Sequence, residues 1–214
     1  AGAFISRRRD RRHVRIGART TVREGTPSAQ SMHNQDIREA VRRRIIEMAK
    51  TWPSMTLAQI RASFETLLGT DSRTAQNCFC IDDIPACWID AGTGLNDGAI
   101  LYFHGGGYQT GSIRSHFDLM TRLAAAAQIR VLGFNYRLAP GHRFPAASDD
   151  RLPAYRWLLN HGYAAQQIAF VGDSAGAALA LATAVRARDA GLSPPACLAL
   201  LSPWIDLSMR GRSY

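Results

Sequence analysis

The first sustained hydrophobic pattern along the chain is helical. From Asn34 onward, apolar side chains recur every three or four residues and arginines occupy the positions between them. The apolar positions are Ile37, Val41, Ile45 and Met48. Because proline interrupts a helix, the pattern predicts an amphipathic helix that ends near Trp52-Pro53.

A second helix is predicted directly after this break. Thr56 and Gln59 have the spacing of a capping box, in which each side chain bonds to the other residue's backbone amide. The apolar face that follows is formed by Leu57, Ile60, Phe64 and Leu67. Gly69 favours the end of this helix. Two amphipathic helices need a surface to lie on, so residues 34–70 are predicted to form a lid or an edge layer on a larger domain.

Beyond residue 70, short apolar segments alternate with helical ones. Cys78–Ile81 and Ala86–Ile89 flank Asp82-Asp83 as a hairpin. Further strands are predicted at 99–103, 131–134, 168–171 and 198–201, and helices at 115–127, 147–160 and 174–190. Pro153 lies in the second of these helices, which either kinks there or becomes regular there. The alternation predicts a mostly parallel sheet covered by helices, with ligands at the carboxyl ends of its strands.

Composition is that of a globular protein, with 46% hydrophobic and 20% charged residues. The formal charge of +9 is concentrated in residues 1–23, which contain eight arginines and a single acidic residue, Asp10. Residues 1–33 lack periodicity and are predicted to form a disordered basic arm. A nucleic-acid or anionic-membrane arm is the alternative, but the interleaved aromatic residues of single-strand binders are missing. The nearly neutral body predicts no nucleic-acid partner.

The remaining compositional features concern location. No apolar run reaches the roughly 18 residues of a membrane span, and the basic N-terminus does not resemble a secretory signal. The four cysteines form no CxxC pair and have no zinc spacing. They are Cys78, Cys80, Cys87 and Cys197. Their apolar neighbours predict buried free thiols, which fits a reducing, cytoplasmic location.

The strongest chemical signal is the segment Gly172-Asp173-Ser174-Ala175-Gly176, between a predicted strand and a predicted helix. This is the context of a nucleophile elbow, in which a sharp turn raises the serine above the sheet. Gly172 and Gly176 leave room for the neighbouring backbone, and the helix N-terminus favours negative charge near Ser174. A tight turn with a capping serine is the simpler interpretation.

A second signal follows the strand 99–103. His104-Gly105-Gly106-Gly107 leaves several backbone N–H groups unshielded, as an oxyanion hole requires. A flexible loop and a phosphate-binding loop are the alternatives. The chain has no GxGxxG pattern and no Walker-type lysine, which argues against nucleotide binding.

Five motifs occur in the order known from one family. They are HGGGY at 104–108, YRLAP at 136–140, FPAA at 144–147, GDSAG at 172–176 and SPWID at 202–206. Over roughly residues 35–214 the chain therefore resembles the hormone-sensitive-lipase-like bacterial carboxylesterases. The resemblance implies an α/β-hydrolase fold with N-terminal cap helices at 34–70. Residues 71–214 would form the N-terminal two-thirds of the hydrolase domain, truncated at its C-terminal side.

The resemblance also implies roles for individual residues. Ser174 matches the nucleophile, and the amides of Gly106, Gly107 and Ala175 match the oxyanion hole. The supporting motif positions are His104, Gly105, Gly172, Asp173 and Gly176. His104 matches a structural histidine and not the general base. The implied activity is hydrolysis of short-chain acyl esters through an acyl-serine intermediate, with a small-molecule ester as substrate and no metal or cofactor.

The partners that activate the serine are missing from these motifs. In this fold the acid and then the histidine follow the nucleophile along the chain. No histidine follows Ser174, and the later acids Asp189 and Asp206 match other positions. We therefore expect the acid and histidine beyond Tyr214 and only weak activity from these 214 residues. A non-catalytic ligand-binding or remnant hydrolase-like protein is the alternative. The last predicted strand would form an exposed edge, through which copies could associate as a homo-oligomer.

Overall fold

The computed structural model describes residues 29–68, 77–90, 92, 97–208 and 210, with side chains from residue 35 onward. The basic segment 1–28 lies outside the described residues, and so does Gly69, where the second helix is predicted to end. The chain divides into two compact units, residues 1–47 and 48–214. Most of helix α1 (Ala29–Thr51) belongs to the first unit, and it begins earlier than the predicted start at Asn34.

Helix α2 spans Leu57–Leu68 and begins with the predicted capping box. The Thr56 amide donates to Gln59 Oε1 at 2.8 Å, and the Gln59 amide donates to Thr56 Oγ1 at 3.4 Å. A short 3-10 turn at Trp52–Ser54 separates α2 from α1, because Pro53 ends the regular helix.

The described part of the second unit contains one six-stranded sheet. Its strands are β1 (Cys78–Ile81), β2 (Ile84–Ile89), β3 (Ala99–Phe103), β4 (Arg130–Phe134), β5 (Ile168–Asp173) and β6 (Cys197–Leu201). The spatial order is β1-β2-β4-β3-β5-β6. Strands β4, β3, β5 and β6 are parallel, whereas β2 runs antiparallel to both β1 and β4. The sequence-based prediction of a mostly parallel sheet is confirmed.

Three helices cover this sheet: α3 (Phe117–Ala127), α4 (Ala146–Asn160) and α5 (Ala175–Asp189). Helix α3 begins two residues later than predicted, because Ser112 and Ser115 bond to each other's backbone amides in a preceding turn, at 2.8 and 3.2 Å. Helix α4 continues through Pro153, where packing of its buried side outweighs the lost hydrogen bond.

The inner parallel strands β4, β3 and β5 are buried on both faces. One face packs against α4 and α5 through residues such as Leu101, Phe170 and Tyr155. The other packs against α3 through residues such as Tyr102 and Met120. Because both faces are covered, these strands are continuous apolar runs rather than alternating ones.

Strand β6 is an edge of the described sheet. It pairs with β5 on one side, and Leu198 and Leu201 are 37% and 42% exposed. The predicted exposed apolar edge is therefore present among the described strands. No helix in the described ranges is long and apolar enough to cross a membrane.

The cysteine prediction is wrong. The β1–β2 hairpin places Cys78 directly opposite Cys87 with a Cα–Cα distance of 4.1 Å, and the two form a disulfide. Cys80 and Cys197 are free but exposed, because each lies on an edge strand. Buried free thiols were the basis for a reducing compartment, so that inference loses its support.

Candidate active site

Ser174 lies at the junction of β5 and α5 in a strained conformation. Its φ of 51° and ψ of −119° fall in a backbone region that residues other than glycine rarely adopt. The Ser174 amide donates to the Leu201 carbonyl at 2.9 Å, and the Ser174 carbonyl accepts from the Trp204 amide at 3.0 Å. Backbone bonds to β6 and the loop after it thus hold the strand-to-helix turn in place.

The two motif glycines let this turn pack against the end of β3. A Cβ on Gly172 would approach the Phe103 carbonyl oxygen to 2.7 Å, and one on Gly176 would overlap the carbonyls of Phe103 and His104. Glycine at both positions therefore brings the serine turn beside the glycine-rich loop that leaves β3. The geometry of a nucleophile elbow, which the sequence predicts, is present.

The glycine-rich loop has the backbone conformation that its sequence suggests. Gly106 and Gly107 have φ values of 117° and 61°. The Gly106 carbonyl accepts from the amides of Gln109 and Thr110 at 3.1 and 2.9 Å. A Cβ on Gly106 would overlap the Thr110 carbonyl. The loop is therefore a fixed turn and not a flexible connection.

Three backbone amides of the elbow and the glycine-rich loop have no acceptor among the described residues. They belong to Gly106, Gly107 and Ala175. Unpaired N–H groups at a strand-to-helix junction are what an oxyanion hole presents to a developing negative charge. Ala175 also begins α5, whose N-terminus favours an anion.

His104 is buried inside the loop that it begins. Its ring stacks on Tyr136 with centroids 4.1 Å apart, and its Nδ1 lies 2.8 Å from the Gly105 carbonyl oxygen. Because a carbonyl only accepts, Nδ1 is the donor. Burial, together with the neighbouring His116, lowers the pKa of His104 to about 3, so the ring is neutral near pH 7. The Tyr136 hydroxyl donates to the His104 carbonyl at 2.7 Å.

Asp173 connects the serine turn to the glycine-rich loop. Its Oδ1 accepts from the Tyr102 hydroxyl at 2.7 Å and from the Gly105 amide at 2.9 Å. His116 Nε2 lies 3.4 Å from the same oxygen. Burial alone would raise the pKa of Asp173, but His116, Tyr102 and the Gly105 amide together outweigh burial and lower it. Asp173 is therefore ionised at neutral pH.

Three supporting residues of the site, Tyr102, His116 and Tyr136, are not predicted from the sequence. All three are buried. The hydroxyls of Tyr102 and Tyr136 donate to the elbow and to the glycine-rich loop, and His116 Nε2 lies 3.4 Å from Asp173 Oδ1. Tyr136 stands in the YRLAP motif, which by itself implies no contact. For Tyr102 the sequence signal is a tyrosine inside an apolar strand, since a buried hydroxyl needs a partner. The identity of that partner depends on strand register, which the sequence pattern does not give.

The structure brings no acid or histidine relay to Ser174 among the described residues. Its Oγ makes no hydrogen bond there. Asp189 pairs with Arg188 at 2.7 Å and ends a helix that is about 22 Å long at 1.5 Å per residue. Asp206 accepts from the Ser208 amide at 2.8 Å. His161 stacks on Trp157 beyond α4.

An apolar cavity of about 820 Å³ lies between α4, α5 and the loop after β6. Its lining includes Tyr108, Phe144, Leu181, Val185 and Trp204, but not Ser174. Trp204 also contacts the elbow, since its amide bonds to the Ser174 carbonyl, and Tyr108 directly follows Gly107 of the glycine-rich loop. The cavity therefore adjoins the candidate site without containing its nucleophile.

Comparison with known proteins identifies the family. The alpha/beta hydrolase fold family matches residues 100–214, which include the glycine-rich loop and the elbow. The chain belongs to this family. The match covers more than half of the chain and confirms both the fold class and the resemblance that the motifs indicated.

Curated relatives are ester hydrolases. An acetyl-hydrolase of Streptomyces hygroscopicus is 45% identical over 115 residues, which are 54% of this chain and 38% of the relative. An ethyl acetate hydrolase of Pseudomonas putida is 45% identical over 121 residues, with the same two shares. The chain thus spans less than half the length of these relatives.

Solved structures give the same result. An esterase from the bacterial hormone-sensitive lipase family has a TM-score of 0.73 and 41% identity, covering 81% of this chain and 61% of that one. A hormone-sensitive lipase from a metagenome library has a TM-score of 0.74 and 37% identity, covering 82% and 60%. The matched region covers only about three-fifths of each of these two solved chains.

Proposed function

We propose that this chain carries the nucleophile and the oxyanion hole of a serine carboxylesterase acting on short-chain acyl esters. The observation that supports this most is the strained Ser174 on an elbow that packs against the glycine-rich loop, where the amides of Gly106, Gly107 and Ala175 have no acceptor among the described residues. The names of the relatives, acetyl-hydrolase and ethyl acetate hydrolase, favour small acyl groups.

The proposed chemistry has two steps. Ser174 Oγ loses its proton to a base and attacks the acyl carbon, and the former carbonyl oxygen becomes an oxyanion that accepts from the three amides. The alcohol leaves with a proton as the acyl-serine forms. Water then attacks the acyl carbon and releases the acid, which regenerates the serine.

The base and its carboxylate are proposed to lie outside residues 1–214. No histidine follows Ser174, and His104 is buried, neutral and bonded to the Gly105 carbonyl. The chain spans 38% of the length of its curated relatives, which leaves room for both groups in a longer protein.

The domain organisation belongs to the same proposal. Residues 34–70 would form the N-terminal part of a cap, and 71–214 the hydrolase core. Contacts of α2 support this: Arg61 donates to the Gln109 and Ala139 carbonyls at 2.8 and 3.0 Å. Helix α2 is thereby held on loops at the carboxyl ends of the strands, where a cap over a substrate would sit.

The test uses the protein expressed with the coding sequence that follows Tyr214. Ser174→Ala should reduce hydrolysis of a chromogenic acetate or butyrate ester to background, since losing a triad serine costs about a millionfold in kcat. Ser193→Ala, in an exposed loop before β6, is the matched control and should retain full activity. Persistence of hydrolysis in Ser174→Ala would refute the mechanism.

A non-catalytic ligand-binding protein is the second candidate. It is favoured by the lack of any hydrogen bond on Ser174 Oγ among the described residues. A gene with a stop codon directly after Tyr214, together with ester binding without turnover, would support it. An in-frame continuation with an aspartate and then a histidine within about one hundred codons would refute it.

A further inference from the structure

We propose that Asp173 is a positioning residue for the oxyanion hole, tying the glycine-rich loop to the turn that carries the nucleophile. This inference rests on the proposed esterase function. Asp173 precedes Ser174 directly, so its backbone is part of the elbow while its carboxylate reaches across to Gly105. The two halves of the candidate site are thus joined through one side chain.

Each peptide unit of the loop is fixed by its own hydrogen bonds. In the 104–105 unit, the His104 carbonyl accepts from Tyr136 at 2.7 Å and the Gly105 amide donates to Asp173 at 2.9 Å. In the 105–106 unit, the Gly105 carbonyl accepts from His104 Nδ1, which orients the opposite Gly106 amide. Rotation of the first unit would turn the following units, because they share backbone atoms.

The strand register places Asp173 where this bond is short. Phe103 in β3 pairs with Gly172 in β5, so Asp173, the last residue of β5, lies next to the start of the glycine-rich loop. A Cβ on Gly105 would overlap the Asp173 carboxylate. Only glycine at 105 therefore allows the backbone amide to approach the carboxylate this closely.

The negative charge of Asp173 is essential to the arrangement. Two donors, the Tyr102 hydroxyl and the Gly105 amide, converge on one oxygen, Oδ1, at 2.7 and 2.9 Å, and His116 Nε2 lies 3.4 Å from the same oxygen. An ionised carboxylate accepts such bonds more strongly than a neutral amide does. Burial and the nearby Asp173 raise the pKa of Tyr102, which keeps the hydroxyl protonated as a donor.

The first test measures the loop itself. In the 214-residue chain, hydrogen exchange of the Gly105 amide is followed by NMR for wild type and Asp173→Asn. We expect exchange at least about tenfold faster in the variant, because a charge-assisted bond is replaced by a weaker one. Asp118→Asn, which loses an exposed pair with Arg122 in α3, is the control and should leave Gly105 unchanged. Unchanged exchange in Asp173→Asn would overturn the inference.

The second test measures catalysis in the protein expressed with the sequence after Tyr214. Active sites are counted by titration with an organophosphate, and kcat is expressed per reactive serine. We expect Asp173→Asn to lower kcat about 10- to 100-fold with little change in KM, somewhat less than the loss of a whole oxyanion donor. Tyr102→Phe, which removes the hydroxyl that donates to Asp173, should also lower kcat, but by less.

The outcomes separate the two proposals. A variant that loses thermal stability and reactive sites but keeps wild-type kcat per site would show a purely structural role and overturn the inference. A wild-type protein that neither reacts with the organophosphate nor hydrolyses esters would refute the proposed function. If the wild type is active and Asp173→Asn has the same kcat, only the role of Asp173 is refuted.

Discussion

Replacing Ser174 by glycine should stabilise the fold while destroying the candidate nucleophile. The backbone angles of Ser174, φ 51° and ψ −119°, suit glycine and disfavour any residue with a Cβ. The serine side chain makes no hydrogen bond among the described residues that its removal would cost. Ser174→Ala keeps the Cβ and with it the strain.

The magnitude follows from two opposing contributions. A residue held in a sparsely populated backbone region costs about 1–3 kcal/mol. Glycine recovers that strain but adds about 0.5–1 kcal/mol of backbone entropy to the unfolded chain. The expected net gain in the free energy of unfolding is about 1 kcal/mol, or about 2–4 °C in Tm for a domain of this size. Ser174→Ala should change the free energy by less than about 0.5 kcal/mol.

The assay is equilibrium urea unfolding, followed by circular dichroism, of wild type and three variants. The matched control is Ser63→Gly, a serine-to-glycine change inside α2, which should destabilise by about 0.5 kcal/mol through helix propensity. A Ser174→Gly variant no more stable than Ser174→Ala would refute the claim that the elbow stores backbone strain.

Three further predictions concern groups that hold the site in place. Gly176→Ala should destabilise by about 1–3 kcal/mol in urea unfolding, since its Cβ would overlap carbonyls at the end of β3, whereas Gly141→Ala, whose Cβ would make only ordinary contact, should be nearly neutral. Asp150→Asn should cost about 1–3 kcal/mol, because a buried carboxylate that bonds Arg137 at 2.6 Å loses its charge, and undiminished stability would contradict this. The pKa of His104, about 3, lies below its ordinary value, so the unfolded chain takes up this proton first as pH falls. The contribution of this ring to the free energy of unfolding should therefore fall by about 1.4 kcal/mol per pH unit below about pH 6.5, and His104→Asn should show a shallower pH dependence between pH 7 and 5.

The sequence predicts the elements of this fold well because each has a local signature. The apolar segments 99–103 and 168–171 need no partner to be recognised as strands, and both are present, although β5 extends to Asp173. The elbow and the glycine-rich loop are also local, since backbone crowding requires glycine at fixed positions such as 176. The order of residues along the chain is enough to predict such features.

The contacts that support the site could not be predicted in this way. Tyr102 and Asp173 are separated by 71 residues and meet only because β3 and β5 are adjacent in register. The Cys78–Cys87 disulfide depends likewise on hairpin register, whereas apolar neighbours suggested burial. Periodicity shows which face of an element is apolar, but not which partner that face meets.

We propose Ser174 as a nucleophile whose oxyanion is bound by the amides of the glycine-rich loop. The most direct measurement is to react the protein expressed with the sequence after Tyr214 with an organophosphate ester and to map the adduct by peptide mass spectrometry. We expect one adduct, on the peptide that contains Ser174, with loss of ester hydrolysis in proportion to labelling. Complete labelling of a different residue, or hydrolysis that continues after Ser174 is fully modified, would contradict it.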